Sequence, residues 1–150
     1  MRVVIQRVKK ASVSIDEQIV GNINQGLLIF LGIENEDTEN DSKWLIQKIL
    51  GLRIFSDAEG KMNLSVTDIE GELLIVSQFT LFASTVKGNR PSFLKSAKPD
   101  ISIPLYEKFL ETIKKETSLK IETGQFGADM EVSLINEGPV TIIIDSKVRE

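Results

Sequence analysis

The chain has 150 residues, 41% of them apolar, a formal charge of −4, and neither cysteine nor histidine. That length suits one domain, residues 1–150, with a sizeable core. The two absences exclude disulfides, a thiol nucleophile and the Ser-His and Cys-His catalytic pairs, and they leave zinc without its favoured ligands. Any chemistry must use hydroxyls, amides, backbone groups, carboxylates, lysine or the substrate itself. No stretch reads as a membrane span, and Met1-Arg2-Val3-Val4-Ile5 enters strand-like sequence without a signal-peptide pattern. The expectation is a soluble, cytoplasmic protein.

Charge is unevenly spread. Glu34, Glu36, Asp37, Glu39 and Asp41 crowd together, and setting them aside leaves 17 acids against 18 Lys plus Arg. A solvated, dipole-favoured first turn of a helix is the simplest use of such a stretch. By contrast, Lys87, Arg90, Lys95 and Lys98 fall in a segment, 84–99, that holds no acid.

In chain order, residues 2–15 alternate, with Val3, Ile5, Ala11, Val13 and Ile15 on one parity, which predicts a long strand or two in line. Arg7 shares that apolar parity, so it either finds a carbonyl or carboxylate inside or snorkels to solvent. Asp16-Glu17-Gln18 predicts a turn and residues 19–23 a return strand. The apolar run 27–31 predicts a central strand covered on both faces. Trp44, Leu45, Lys48, Ile49 and Leu52 have helical spacing, with Asn40 or Asp41 available as cap. A short strand is expected at 53–55 and a turn at 57–60.

Residues 73–76 predict a second buried strand, which runs into the polar sequence Ser77-Gln78-Phe79-Thr80. Side chains alternate faces along a strand, so these four form a cluster only where the chain bends, and a bend would free backbone N–H groups. Gly88-Asn89-Arg90-Pro91 is turn chemistry. A second helix is expected to begin near Pro104, with Tyr106, Phe109, Leu110 and Ile113 as its apolar stripe. Residues 119–123 alternate as a strand, and 124–127 form a glycine-flanked loop. A further strand at 130–136 leads into Asn136-Glu137-Gly138-Pro139-Val140-Thr141. Glycine is conformationally permissive and proline cannot donate to a ladder, so Gly138-Pro139 must interrupt pairing there. An edge turn with an ordinary trans bond and a functional kink both satisfy that requirement. The fold class is mixed α/β, with layered β-sheets and two main helices on one side.

These motifs, together with Ile5-Gln6-Arg7-Val8 and Gly124 through Met130, resemble in type, order and spacing the D-aminoacyl-tRNA deacylase family, essentially from end to end. The pairing of Ser-Gln-Phe-Thr with Asn-X-Gly-Pro-Val-Thr is the specific part. Glu137 stands where the family often has aspartate. The resemblance implies a homodimer in which Gly138-Pro139 is cis and each subunit lends this turn to the other's pocket as a chiral gate, held in part by Arg7. It implies that Ser77, Gln78, Phe79 and Thr80 line the pocket for the 3'-terminal aminoacyl-adenosine of tRNA, with Phe126, Gly127, Ala128 and Met130 near the nucleoside and Asn136 within the gate motif. No cofactor is expected and, with His and Cys absent, no metal.

On that basis the expected reaction is hydrolysis of the ester of D-aminoacyl-tRNA, and of glycyl-tRNA, with L-aminoacyl-tRNA excluded. Backbone N–H groups near Phe79 and Thr80 would meet the oxyanion, while water assisted by the neighbouring ribose hydroxyl is preferred to Thr80 as nucleophile. Lys87, Arg90, Lys95 and Lys98 would meet phosphates of the acceptor stem, against the plain alternative of a solvated loop. From a different class, the rival is a non-catalytic dimeric RNA- or nucleotide-binding module.

Overall fold

The computed structural model describes residues 1–149. Among these, the chain runs β1 (Arg2–Ile15), β2 (Gln18–Ile23), β3 (Gly26–Gly32), α1 (Glu39–Gly51), β4 (Phe55–Ser56), β5 (Met62–Leu64), β6 (Glu72–Ser77), a 3-10 turn (Phe79–Phe82), α2 (Pro99–Glu116), β7 (Ile121–Thr123) and β8 (Glu131–Asp145). The expected layered sheets are one six-stranded sheet, ordered β2-β1-β3-β6-β7 with β8 on the other edge of β1, plus a two-stranded ribbon of β4 and β5. The sheet curls until β2 lies against β7: a Cβ added to Gly21 would stand 2.9 Å from the carbonyl oxygen of Thr123. A nearly closed sheet therefore supplies both of its own layers. No helix among the described residues is long and apolar enough to cross a membrane.

Strand β1 organises this architecture. Its first half pairs with β3 from Arg2 opposite Gly32 to Val8 opposite Gly26, and its second half pairs with β2, both antiparallel. Its other edge pairs with β8. Parallel pairing then extends the sheet from β3 to β6 and from β6 to β7. The apolar run of β3 is indeed central, with one neighbour on each edge.

The two faces build two cores. On one, Val3, Ile5, Leu27, Ile29, Leu73 and Ile75 meet Leu45, Ile46 and Ile49 of α1 and Tyr106, Phe109 and Ile113 of α2. Both helices thus pack on the same side. On the other face, Leu28, Leu74 and Val76 meet Val8, Ala11 and Val13 of the same curled sheet, with Met130, Val132 and Leu134 packed alongside.

The helix starts differ from the sequence expectation. Thr38 caps α1, and the Asp41 carboxylate, three residues on, accepts the Thr38 N–H at 2.9 Å. The surrounding acids are only partly solvated. Asp37 and Asp41 are buried, because Asp37 pairs with the Met1 amino group and Asp41 with Lys147 at 3.0 Å. Burial raises the Asp41 pKa, but hydrogen bonds from Lys147, Ser146 and Thr38 outweigh it and hold the carboxyl well below the ordinary range. Helix α2 begins at Pro99, not near Pro104. Pro99 occupies the first helical position, where a missing N–H is harmless, and the Lys98 carbonyl accepts the N–H of Ser102 at 2.8 Å and its hydroxyl at 3.0 Å. Pro104 then sits inside the helix, where it cannot donate to the carbonyl of Asp100.

Burial raises the Tyr106 hydroxyl to a pKa of about 12 from its ordinary value of 10. The folded state therefore holds a proton that the unfolded chain gives up. The corresponding stability is complete below pH 10 and falls as pH rises towards 12, by about 2–3 kcal/mol. Chemical denaturation across this range should show Tyr106→Phe lacking that part of the alkaline decline; an unchanged decline would refute the assignment.

Candidate functional site

The site grows from the end of β6. Parallel pairing sets Ser77 opposite Leu31, and the Gln78 N–H donates to the Leu31 carbonyl at 2.8 Å. The chain then bends into the turn Phe79–Phe82. Gly32 permits the bend, since a Cβ there would lie 3.1 Å from both the Gln78 carbonyl oxygen and the Leu81 side chain. The turn's first bond runs from the Leu81 N–H to the Gln78 carbonyl, so the N–H groups of Phe79 and Thr80 come before it and are not consumed by the turn.

Beside this bend lies a cleft of about 420 Å³. Val76, Ser77, Gln78 and Phe79 form one wall, Phe126, Gly127, Ala128 and Met130 contribute another, and Ala97, Pro99 and Ser102 line it from the start of α2. Two sequence segments nearly fifty residues apart are thereby joined. The connection is the β6–β7 pairing, continued by the Gly124 N–H, which donates to the Ile75 carbonyl at 3.2 Å. Phe126 rests on buried Tyr106, with ring centroids 5.5 Å apart. Among the described residues, Asp129 is the single ionisable one in the lining.

Thr80 does not line the cleft wall but joins it through Gln78, whose side-chain amide donates to the Thr80 hydroxyl at 2.5 Å. That hydroxyl keeps its own proton to donate. Phe79 is 56% exposed and meets Phe93 edge-on at 5.0 Å. The Phe79 carbonyl accepts the Ser96 hydroxyl at 2.7 Å, and the Ala97 N–H donates to the Ile33 carbonyl at 2.9 Å. These bonds fasten the loop before α2 to the end of the sheet. Ser96, Ala97, Ser102 and Asp129 are site residues that sequence reasoning did not select. Ser96 and Ser102 carried no motif, whereas Asp129 stood inside the run from Gly124 through Met130.

A second cluster surrounds Gly138-Pro139, whose peptide bond is cis. Strand β8 continues through it, but its pairing with β1 jumps from Asn136 opposite Val8 to Thr141 opposite Gln6. The released segment is held locally: Asn136 accepts the Val140 N–H at 3.2 Å and donates to the Thr141 hydroxyl at 3.1 Å. Arg7, 8% exposed, points inward and donates to the carbonyls of Ile54 at 2.5 Å and Glu137 at 3.1 Å. Gly138 has φ of 120°, and a Cβ there would come 2.7 Å from Arg7 Nη2, so two separate constraints favour glycine. Gly138 and Pro139 are exposed, and neither they nor Arg7 and Asn136 line the cleft of their own chain. Lys87, Arg90, Lys95 and Lys98 are exposed on the loop that Ser96 and Ala97 anchor.

The chain matches the model of the family described as D-Tyr-tRNA(Tyr) deacylase over residues 4–145. It is 60% identical to the D-aminoacyl-tRNA deacylase of Flavobacterium psychrophilum and 61% identical to that of Azobacteroides pseudotrichonymphae genomovar. CFP2, with 100% of each chain covered in both cases. Among solved structures, one titled c-Myc DNA Unwinding Element Binding Protein superposes with a TM-score of 0.92 at 40% identity, covering 97% of this chain and 98% of that one. A second, titled as a probable eukaryotic D-amino acid tRNA deacylase, shares the fold with a TM-score of 0.79 at 18% identity, covering 95% and 97%. With a family match over nearly its whole length and relatives of this closeness, the chain belongs to the D-Tyr-tRNA(Tyr) deacylase family.

Proposed function

We propose that the protein hydrolyses the ester linking a D-amino acid, or glycine, to the terminal ribose of tRNA. The observation that carries this reading is the cleft itself: residues 77–79 face residues 126–130, and among the described residues no imidazole, thiol or amine lines the space between. An aminoacyl ester is already activated relative to an amide, so a site that positions it and supplies donors to the oxyanion is sufficient. Each such donor contributes roughly 3–4 kcal/mol in hydrolases of known mechanism.

In this mechanism Phe126 and Met130 receive the terminal adenosine, and the N–H groups of Phe79 and Thr80 meet the carbonyl oxygen. Water, its proton drawn by the neighbouring ribose hydroxyl, adds to the ester carbon. The carbon–oxygen bond to ribose then breaks, and the ribose oxygen takes up the proton that the neighbouring hydroxyl relays from the water, leaving free tRNA and amino acid. Gln78 and Thr80 orient the reacting groups through their shared hydrogen bond. That Gly138 and Pro139 lie outside their own cleft supports their closing the cleft of a second copy, where their carbonyls would grip the α-amino group and turn an L side chain into the wall. Glycine has no side chain to clash. Lys87, Arg90, Lys95 and Lys98 would follow the phosphates.

One observation favours a second reading, a nucleic-acid-binding protein without chemistry: the 40% identical solved structure bears a DNA-binding title. Release of free amino acid from purified D-aminoacyl-tRNA and glycyl-tRNA, with L-aminoacyl-tRNA spared, separates the two. Binding should also weaken as salt rises. Inert D-aminoacyl-tRNA refutes hydrolysis, glycyl-tRNA inert beside an active D-substrate refutes the exclusion mechanism, and salt-independent binding removes the phosphate contacts.

Single-turnover rates test the role of Thr80. Thr80→Ala should lose one orienting hydrogen bond and slow hydrolysis about tenfold, the equivalent of roughly 1.4 kcal/mol, while Thr80→Ser stays near wild type. Abolition in Thr80→Ala with full rescue in Thr80→Ser would instead make Thr80 the nucleophile.

A further inference from the structure

Arg7 is a buried cation, and its hydrogen bonds to the carbonyls of Ile54 and Glu137 engage two of its N–H donors without neutralising its charge. Among the described residues, one carboxylate lies within ion-pair reach: Glu137, with Oε2 3.8 Å from Arg7 Nε. That same Oε2 is the one buried side-chain polar atom among the described residues that has no hydrogen-bond partner. A carboxylate oxygen withdrawn from water without a donor is unfavourable by itself, and what it faces here is the guanidinium. Its position is therefore explained by charge.

The location of the pair gives that charge a use. Arg7 Nη2 stands 2.7 Å from the position a Cβ would take on Gly138, so the guanidinium lies directly against the turn. Under the reading above, on which this inference rests, the carbonyls of Gly138 and Pro139 receive a protonated α-amino group. An uncompensated guanidinium behind them would repel that cation, and once a second copy covers the exposed turn, as that reading requires, the repulsion would be only weakly screened. Removing the partly buried acid leaves such an uncompensated charge on the buried Arg7.

We propose that Glu137 is a specificity-determining positioning residue: by neutralising Arg7 behind the Gly138-Pro139 turn, it lets that turn accept esters carrying an α-ammonium group. Its effect falls on recognition of the substrate's charge and not on the bond-breaking step.

The test compares D-aminoacyl-tRNA with the corresponding D-2-hydroxyacyl-tRNA, which carries the same ester and side chain without the cation. Glu137→Gln should raise KM for the aminoacyl substrate about tenfold, leave its kcat unchanged, and leave KM for the hydroxyacyl substrate unchanged. Glu137→Asp against Glu137→Asn repeats the comparison one methylene shorter and decides the matter if Glu137→Gln does not fold: Asp should retain the preference for the charged substrate and Asn lose it. An equal loss on both substrates marks a merely structural role and overturns the proposal, as does no change on either. Wild type that cleaves D- and L-aminoacyl-tRNA alike would overturn the gate itself, and this inference with it; a selective wild type with an unaltered Glu137→Gln overturns the role of Glu137 alone.

Discussion

The structure depends on the hydrogen-bonding of β1, which is paired along both edges. On one side it carries β3 and β2 in succession, on the other the length of β8. This fixes which face each side chain takes, because a one-residue slip would exchange inside for outside. Where proline removes a donor from β8, the ladder skips from Asn136 to Thr141, and the opposing residue on β1 is Arg7. Arg7 replaces the lost ladder contacts with side-chain bonds to two carbonyls. The displaced turn is thus a local fault held in a fixed shape by a rigid strand.

The cleft has a different origin. It lies at the ends of the parallel strands, where β6 runs out between β3 and β7 and the chain must bend. The bend frees backbone donors, and the crossover back to β7 brings the Phe126 loop opposite. Under the proposed function, the reaction would rest on main-chain donors and amides, which accords with a sequence devoid of histidine and cysteine.

Much of this was legible from periodicity. The run 27–31 identified the central strand, the stripe at Tyr106, Phe109 and Ile113 identified the buried face of α2, and Gly138-Pro139 marked the break in pairing. The α1 stripe was less clear: Ile46 is buried, while Trp44 is half-exposed beneath the cations of Lys48 and Arg149. Other features were hidden because their causes are long-range. The strand order and the curl of the sheet depend on pairings between segments remote in sequence. Asp37 and Asp41 read as solvated acids, since their cationic partners come from the two ends of the chain. Ser96 had no local signature, as its hydroxyl serves a carbonyl seventeen residues earlier.

The separation of the Gly138-Pro139 turn from the cleft of its own chain bears on inheritance as well as on geometry. If two copies complete one another, a defect in the turn is carried by one polypeptide and felt in its neighbour. In a mixed pair, the altered chain would keep a sound pocket, closed by the normal turn opposite, while the normal chain would inherit the fault. Selection on these two parts of the sequence would then act on the pair as the unit, and a single damaged allele would compromise half the sites of every mixed assembly.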